Sequence, residues 1–179
     1  MRTNTIRNRA FQAFGIGIVL GAVGLGGAML AHADPAAGET VVFVCLHGSV
    51  KSQMAAAQFN HMAKQRGLSV TAISRAVAAD KEIPDAIRAG LADDGLAPVS
   101  EVPSNLTPDE ATHAIKVFAF DDVPADRRGT ANITRWSDVP PATKNYSLAR
   151  DAIVRHVEDA IDLLATGLPA PHQVRDQLK

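Results

Sequence analysis

The chain has 179 residues, 21% of them charged and 46% hydrophobic, and its formal net charge is −1. This composition is typical of a soluble globular domain, and without a basic surface it excludes a nucleic-acid-binding protein. The chain contains a single cysteine, Cys45, so an internal disulfide is excluded as well and a free thiol remains to be explained.

The first 33 residues have the order of a secretory signal peptide. Three arginines among the first nine residues precede an uncharged stretch at 10–31, and the small-residue triplet Ala31-His32-Ala33 closes the segment. We expect cleavage after Ala33, so that the mature protein is periplasmic or secreted. The alternative is an uncleaved membrane anchor, because about 20 uncharged residues can span a bilayer.

The predicted domain begins with a strand, a tight loop and a helix. Residues 34–39 predict a linker, and the domain is expected to cover residues 40–166. The apolar, β-branched run at 41–44 is typical of a strand buried on both faces of a parallel sheet. The alanine-rich residues 49–65 predict a helix that ends before Gly67.

Strands and helices continue to alternate along the chain. Residues 69–77 predict a second strand, and residues 84–96 predict a short helix that begins with a proline. The segment from Thr107 to Glu110 has the pattern of a capping box, which marks the start of another helix. Residues 115–120 predict a further apolar strand.

The last third of the chain has a weaker pattern. Residues 121–141 show little periodicity apart from 133–136, and we expect a long irregular loop there. The spacing of apolar residues at 146–164 predicts an amphipathic final helix, followed by a flexible tail at 167–179. The alternation predicts a three-layer α/β domain with a mainly parallel four-stranded sheet and helices on both faces.

Cys45 lies at the carboxyl end of the first predicted strand, directly before the loop and the helix. Ligands bind at this end of the strands in open parallel sheets. A loop that closes into a helix N-terminus also directs several backbone N–H groups at one point, so we predict a phosphate-sized oxyanion pocket. The expected donors are the backbone N–H groups of Leu46, His47, Gly48, Ser49, Val50 and Lys51.

Three side chains around this loop are candidates for chemistry. The field at the helix N-terminus would stabilise a thiolate at Cys45 and make it nucleophilic. Lys51, six positions later, would bring a cation to the rim, and Ser52 could donate a hydrogen bond to the sulfur. The alternative for Cys45 is a buried small hydrophobic residue.

The other titratable residues predict no cofactor and no metal site. Asp121 and Asp122 follow the strand at 115–120, and we interpret them as turn residues, with contact to the pocket as the less favoured alternative. The histidines that follow the loop lack metal-ligand spacing. They are His61, His113, His156 and His172.

Residues 42–57, VFVCLHGSVKSQMAAA, resemble the opening of the low-molecular-weight protein tyrosine phosphatase superfamily. The similarity is closest to its thiol-dependent arsenate reductase branch, in which Cys-x-His-Asn-x-x-Arg-Ser-Gln-Met-Ala is the familiar string. The resemblance covers roughly residues 41–165 and implies a nucleophile at Cys45 with a hydroxyl partner at Ser52. It also implies phosphate, arsenate or a phosphorylated substrate as the partner, with an external thiol reductant for any reductase cycle.

Three positions depart from the family pattern. Lys51 replaces the loop arginine, so the two-pronged grip of a guanidinium on two oxygens is lost. Gly48 replaces the asparagine that braces the loop, and glycine permits the turn without holding it. Pro140 stands four residues after Trp136, where the family has its general acid. Asp138 becomes the candidate acid, and an exposed turn aspartate is the alternative.

Two functions therefore remain open from the sequence. The first is a cysteine-dependent tyrosine phosphatase or arsenate reductase that the three departures weaken. The second is a catalytically degenerate module that binds oxyanions or phosphorylated partners. Contact with a membrane is expected only if the N-terminal segment is uncleaved.

Overall fold

The computed structural model describes residues 39–167. The predicted signal peptide, residues 34–38 of the predicted linker and the tail from residue 168 lie outside the described residues. Glu39, which the sequence assigned to the linker, is the first residue of a strand. The described elements, in chain order, are β1 (Glu39–Cys45), α1 (Lys51–Gln65), β2 (Val70–Ala76), α2 (Asp85–Asp93), α3 (Pro108–His113), β3 (Lys116–Ala119), α4 (Ala125–Arg128), β4 (Ile133–Arg135) and α5 (Tyr146–Gly167).

The four strands form one parallel sheet in the order β2-β1-β3-β4. β1 is central, and its Val42 lies opposite Ile73 of β2 and Val117 of β3. The predicted α/β architecture with a parallel four-stranded sheet is therefore confirmed. Because all strands run in the same direction, their carboxyl ends meet at one edge of the sheet.

Helices cover both faces of the sheet, as side-chain alternation along β1 shows. Phe43 packs on one face, where it contacts the rings of Phe59, Phe118 and Trp136. Val42 and its second neighbour along the strand face the other side and belong to a smaller core that includes residues of α3. Successive side chains of a strand point to opposite faces, so the unbroken apolar run serves two cores at once.

The predicted capping box at the start of α3 is present. The Thr107 hydroxyl accepts a hydrogen bond from the Glu110 backbone N–H at 3.2 Å, and the Glu110 carboxylate accepts one from the Thr107 backbone N–H at 3.1 Å. Pro108 occupies the first helical position, where its missing N–H is not needed.

The final helix extends slightly further than the sequence predicted. α5 runs from Tyr146 to Gly167 and buries Ile153, Val157 and Ile161 in the same hydrophobic core as Phe43. Its other face is exposed, as expected for an amphipathic helix. Within residues 39–167, no helix is both long and apolar enough to cross a membrane.

Two parts of the sequence reading were wrong in detail. The helix after the cysteine begins at Lys51 rather than at residue 49, because residues 46–50 form the loop. The stretch at 121–141 is not one irregular loop, since it contains α4 and the three-residue strand β4. Elements of three or four residues are too short to produce a periodic pattern.

Candidate functional site

The candidate site lies where β1 ends and α1 begins. Cys45 is the last residue of β1, and Phe120 directly follows the neighbouring strand β3. The Phe120 backbone N–H donates to the Val44 carbonyl at 2.9 Å, which fixes the two strand ends side by side. Residues that follow β1 and β3 are thereby brought to the same edge of the sheet.

The sulfur of Cys45 is buried and has two polar neighbours. The Gly48 backbone N–H donates to Sγ at 3.2 Å, and Ser52 Oγ lies 3.1 Å from Sγ. Ser74 Oγ in turn lies 2.9 Å from Ser52 Oγ. A hydroxyl has one proton to donate, so Ser74 can donate either to Ser52 Oγ or to the Gly48 carbonyl, which lies 3.2 Å away. The sulfur accepts from the Gly48 N–H and is in hydrogen-bond contact with Ser52.

The carbonyl groups of the loop are held by the segment after β2. The backbone N–H groups of Val77, Ala78 and Asp80 donate to the carbonyls of residues 45, 46 and 47, at 3.1, 2.8 and 3.0 Å. Since N–H and C=O point in opposite directions in a trans peptide, turning these carbonyls toward one side turns the loop N–H groups toward the other. The pairing thus organises the donors of the predicted pocket.

The turn at Gly48 is braced by side chains from outside the loop. Gly48 has φ of +68°, and a Cβ at this position would lie 2.8 Å from the Cβ of Ala76. Its carbonyl accepts from Gln53 Nε2 at 3.2 Å, and Ser74 Oγ lies at the same distance. Gln53 is fully buried, and its amide also bonds Ser100 Oγ and the Val99 backbone N–H. Gln53 therefore braces this turn, where the family has an asparagine, and Ser74 adds a hydrogen bond when its proton is not donated to Ser52.

A second brace connects the loop to Asp80. One carboxylate oxygen of Asp80 lies 3.2 Å from His47 Nδ1, and the other accepts a hydrogen bond from Ser49 Oγ at 2.6 Å. His47 is therefore engaged as part of the loop structure. The sequence analysis did not identify Asp80 as part of the site. The one signal that could have identified it is its position shortly after the carboxyl end of β2.

The N–H groups of the loop divide into used and unused donors. Leu46 donates to Asp121 Oδ2 at 2.8 Å, and Gly48 donates to the sulfur. Neither of these two amides is free to meet an anion in this arrangement. The N–H groups that have no hydrogen-bond partner within residues 39–167 are those of His47, Ser49, Val50 and Lys51.

Lys51 is the first residue of α1 and lies beside the ring of Phe120. Its Nζ is 5.3 Å from the ring centroid, which is a cation–π distance. Within the described part of the chain, no carboxylate forms an ion pair with this ammonium. Its charge therefore stays at the edge of the sheet, where the sequence predicted a cation.

Asp138 has its hydrogen bonds away from the loop. Both carboxylate oxygens accept from His156 Nε2, at 2.8 and 2.9 Å, and the His156 ring stacks on Trp136 with centroids 4.7 Å apart. The hydrogen bond from His156 lowers the pKa of Asp138. A general acid must hold a proton near neutral pH, so this pairing argues against Asp138 as the acid. Its catalytic role stays a prediction.

The interpretation of Asp121 as a plain turn residue was wrong. Its carboxylate reaches the cysteine loop through Leu46, whereas the neighbouring Asp122 forms an ion pair with Arg135. Both follow β3 toward the pocket edge of the sheet, and the sequence could not tell which of the two turns inward. The site that the structure brings together is therefore Cys45 with its loop, Ser52 and Asp121.

Comparison with known proteins supports one family. The model of the family described as low molecular weight phosphotyrosine protein phosphatase matches residues 40–132. A search of curated proteins finds no match.

Solved structures share the fold. The crystal structure of YfkJ from Bacillus subtilis is 19% identical, covering 73% of this chain and 97% of that chain, with a TM-score of 0.65. A protein tyrosine phosphatase from Entamoeba histolytica is 17% identical, covering 72% of this chain and 98% of its own, with a TM-score of 0.61. An arsenate reductase from Archaeoglobus fulgidus is 26% identical, covering 68% and 98%, with a TM-score of 0.52.

Proposed function

We propose, from the premise that this chain belongs to the low molecular weight phosphotyrosine protein phosphatase family, that Cys45 acts as a thiolate on a phosphate-like oxyanion. The substrate would be a phosphate monoester of the phosphotyrosine type or arsenate. The observation that carries the proposal is the position of the sulfur, which accepts from the Gly48 N–H at 3.2 Å and lies 3.1 Å from Ser52 Oγ. Both groups are placed to hydrogen bond the sulfur while it attacks and while it leaves.

With a phosphate monoester, Sγ of Cys45 forms a bond to phosphorus while the bond from phosphorus to the ester oxygen breaks. Water then cleaves the phosphocysteine, which returns the thiolate and releases phosphate. Ser52 would stabilise the sulfur as it leaves. With arsenate, Sγ bonds to arsenic as an oxygen leaves as water, and the two electrons that reduce arsenate to arsenite come from external thiols.

The test is a kinetic assay of the full-length chain with an aryl phosphate and, separately, with arsenate plus a small thiol. The Cys45→Ser variant is the blank. We expect slow turnover of one substrate and none with the variant, together with a phosphorylated protein detectable by intact-mass measurement. Equal rates for the chain and its variant would contradict the proposal.

A second candidate is an oxyanion-binding module without turnover, and two specific observations favour it. Asp138 is paired with His156, and Pro140 stands at the acid position, so the described site lacks an assigned proton donor. In this case phosphate should protect Cys45 from iodoacetamide while hydrolysis stays at the level of the blank. The same samples therefore decide between the two candidates.

We further propose export, with residues 1–33 as a signal peptide that is cleaved after Ala33. The support is the arginine-rich start, the uncharged stretch and the small-residue triplet. Mass spectrometry of the native protein should find a mature N-terminus at Asp34 in the periplasm or the medium. An intact N-terminus in the cytosol would contradict export, and an intact N-terminus in membranes would identify the anchored form.

A further inference from the structure

We propose that Asp121 makes the pocket selective for oxyanions that carry a proton, such as phosphate and arsenate, over sulfate, which carries none at neutral pH. This inference rests on the proposed oxyanion pocket around Cys45. It adds a selectivity that the cysteine loop alone does not provide, because a nest of N–H donors can bind all three tetrahedral anions.

The carboxylate of Asp121 lies at the first donor of the loop. Its Oδ2 accepts the N–H of Leu46 at 2.8 Å, and Leu46 directly follows Cys45. Its other oxygen, Oδ1, has no hydrogen-bond partner within residues 39–167. Because the loop donors converge on the anion, a carboxylate bonded to one of them lies beside the anion's oxygens.

The backbone directly before Asp121 is held by hydrogen bonds to β1 and to the residue after β4. Phe120, the preceding residue, donates to the Val44 carbonyl at 2.9 Å, and the Trp136 N–H donates to the Ala119 carbonyl at 2.8 Å. The carboxylate is therefore presented by paired strands. Selectivity requires such a fixed position, because a mobile carboxylate could move away from sulfate and so relieve the repulsion.

Neighbouring charges do not neutralise Asp121. His47 is paired with Asp80, and Asp122 is paired with Arg135. Lys51 lies over the ring next to Asp121, yet it forms no ion pair with it among the described residues. Its Oδ2 accepts from Leu46, and its Oδ1 remains an acceptor without a donor within residues 39–167.

An acceptor at this position separates anions by their protons. Hydrogen phosphate and hydrogen arsenate carry an O–H that can donate to Oδ1 of Asp121, and they have the same charge as sulfate. Sulfate has only acceptor oxygens, so it would meet the carboxylate with repulsion and no hydrogen bond. A site that presents an acceptor disfavours an analogue that lacks the donor, because the partly buried acceptor oxygen is then left unpaired beside the anion.

The experiment measures how well phosphate, arsenate and sulfate protect Cys45 of the full-length chain from iodoacetamide in one buffer. We expect half-protection by phosphate at a concentration about tenfold or more below that of sulfate. Asp121→Asn keeps the shape and still accepts from Leu46, but its amide donates. This variant should remove the discrimination, mainly through stronger protection by sulfate. The matched control is Asp122→Asn, which changes the same charge one residue away and should leave the ratio unchanged.

Equal protection of the unmodified chain by phosphate and sulfate would overturn the inference while leaving the pocket intact. Equal tightening of both anions in Asp121→Asn would overturn it too, because Asp121 would then only occupy the Leu46 N–H. Failure of every anion to protect either protein would instead refute the proposed pocket, and the inference with it. If Asp121→Asn does not fold, as judged by circular dichroism, the phosphate-to-sulfate ratio of the unmodified chain decides.

Discussion

The cysteine loop and the segment after Trp136 follow parallel strands to the same edge of the sheet, yet their polar side chains are used in different ways. In the loop, the buried Gln53 bonds to the Gly48 carbonyl and the buried Ser74 contacts Ser52. In the later segment, the exposed Asp138 bonds to a histidine of α5. One region holds the cysteine of the proposed chemistry in place, whereas the other secures packing at the surface.

This difference indicates that the two halves of a phosphatase-type site can change independently. In the proposed function, anion binding would depend on backbone donors and buried hydroxyl groups, which substitution at position 51 or 140 leaves in place. Proton donation depends on one side chain on a separate segment. Variants of the loop should therefore change anion binding or the rate of hydrolysis. Variants of the later segment should change only stability.

The largest effect is expected from Gln53→Ala. The variant leaves a cavity at the fully buried Gln53, takes the partner from the half-buried Val99 N–H and removes one brace from the Gly48 carbonyl, at a cost of about 3 kcal/mol in unfolding free energy. Denaturant unfolding measures this cost, and iodoacetamide labelling measures the loop. Anion protection of Cys45 should weaken in the same variant.

The matched control is Asn60→Ala in the same helix. The Asn60 amide also bonds backbone groups, the N–H and carbonyl of Ala72, at 2.7 and 3.0 Å, but it does not contact the loop. It should destabilise the protein without changing anion protection. Equal loss of protection in both variants would mean that protection reports global stability rather than the brace at Gly48.

A smaller effect is expected from restoring the family's asparagine at position 48. A Cβ there would lie 2.8 Å from the Cβ of Ala76, so Gly48→Asn should cost about 2 kcal/mol in unfolding free energy. Combining it with Ala76→Gly removes that contact. The double variant should be more stable than the sum of the single variants predicts, by about 1 kcal/mol. Additive costs would show that the two positions do not meet.

The Lys51→Arg substitution should raise the rate of hydrolysis about tenfold. A guanidinium offers two parallel donors, and a gain of about 1.4 kcal/mol in transition-state stabilisation raises the rate by that factor. If the site is a binder, the same change should tighten anion binding and leave hydrolysis undetectable. Rate and anion protection are measured together, with Cys45→Ser as the blank.

Lys116→Arg provides the comparison for Lys51→Arg. Lys116 Nζ also lies over an aromatic ring, 5.9 Å from the centroid of Phe118, but it is at the opposite end of β3. Lys116→Arg should change neither the rate of hydrolysis nor the protection by anions. If Lys51→Arg also changes neither quantity, the Lys51 side chain does not face the pocket.

The smallest effect is expected from Asp138→Asn. The hydrogen bond from His156 lowers the pKa of Asp138 in the folded chain, so this carboxylate stabilises the fold above its unfolded pKa of about 3.9. That contribution is lost as the pH falls through the folded pKa. At neutral pH the variant should lose less than about 1 kcal/mol, because the pair is exposed to solvent. The difference in stability should vanish at low pH.

Any hydrolysis that the chain performs should be unchanged in Asp138→Asn. A general acid typically contributes about 10²- to 10⁴-fold, so loss of its proton would be obvious in the rate. Such a loss of rate would show that Asp138 is the general acid, and the two regions would then both take part in catalysis. A change in stability alone would show that Asp138 serves only the fold.

The sequence predicted those parts of the fold that depend on local patterns. The apolar run of β1 and the capping box at Thr107 are read from neighbouring residues, and both were found where expected. The braces of the loop could not be predicted in this way. Ser74 contacts Gly48 across 26 positions of sequence, and Asp121 contacts Leu46 across 75. Such pairings follow from strand order and side-chain direction, which a single sequence does not reveal.

The burial of Cys45 has a consequence for the oxidation of the proposed thiolate. Peroxides oxidise a thiolate to sulfenic acid and then to sulfinic and sulfonic acids, which ordinary thiols do not reverse. Proteins that survive this damage often carry a second cysteine that traps the sulfenic acid as a disulfide, whereas this chain has one cysteine. With the residue 4% exposed, a small thiol has better access to the sulfur than a thiol carried on a bulky protein. Rescue then depends on small thiols that fit the opening, and further oxidation is expected to be permanent.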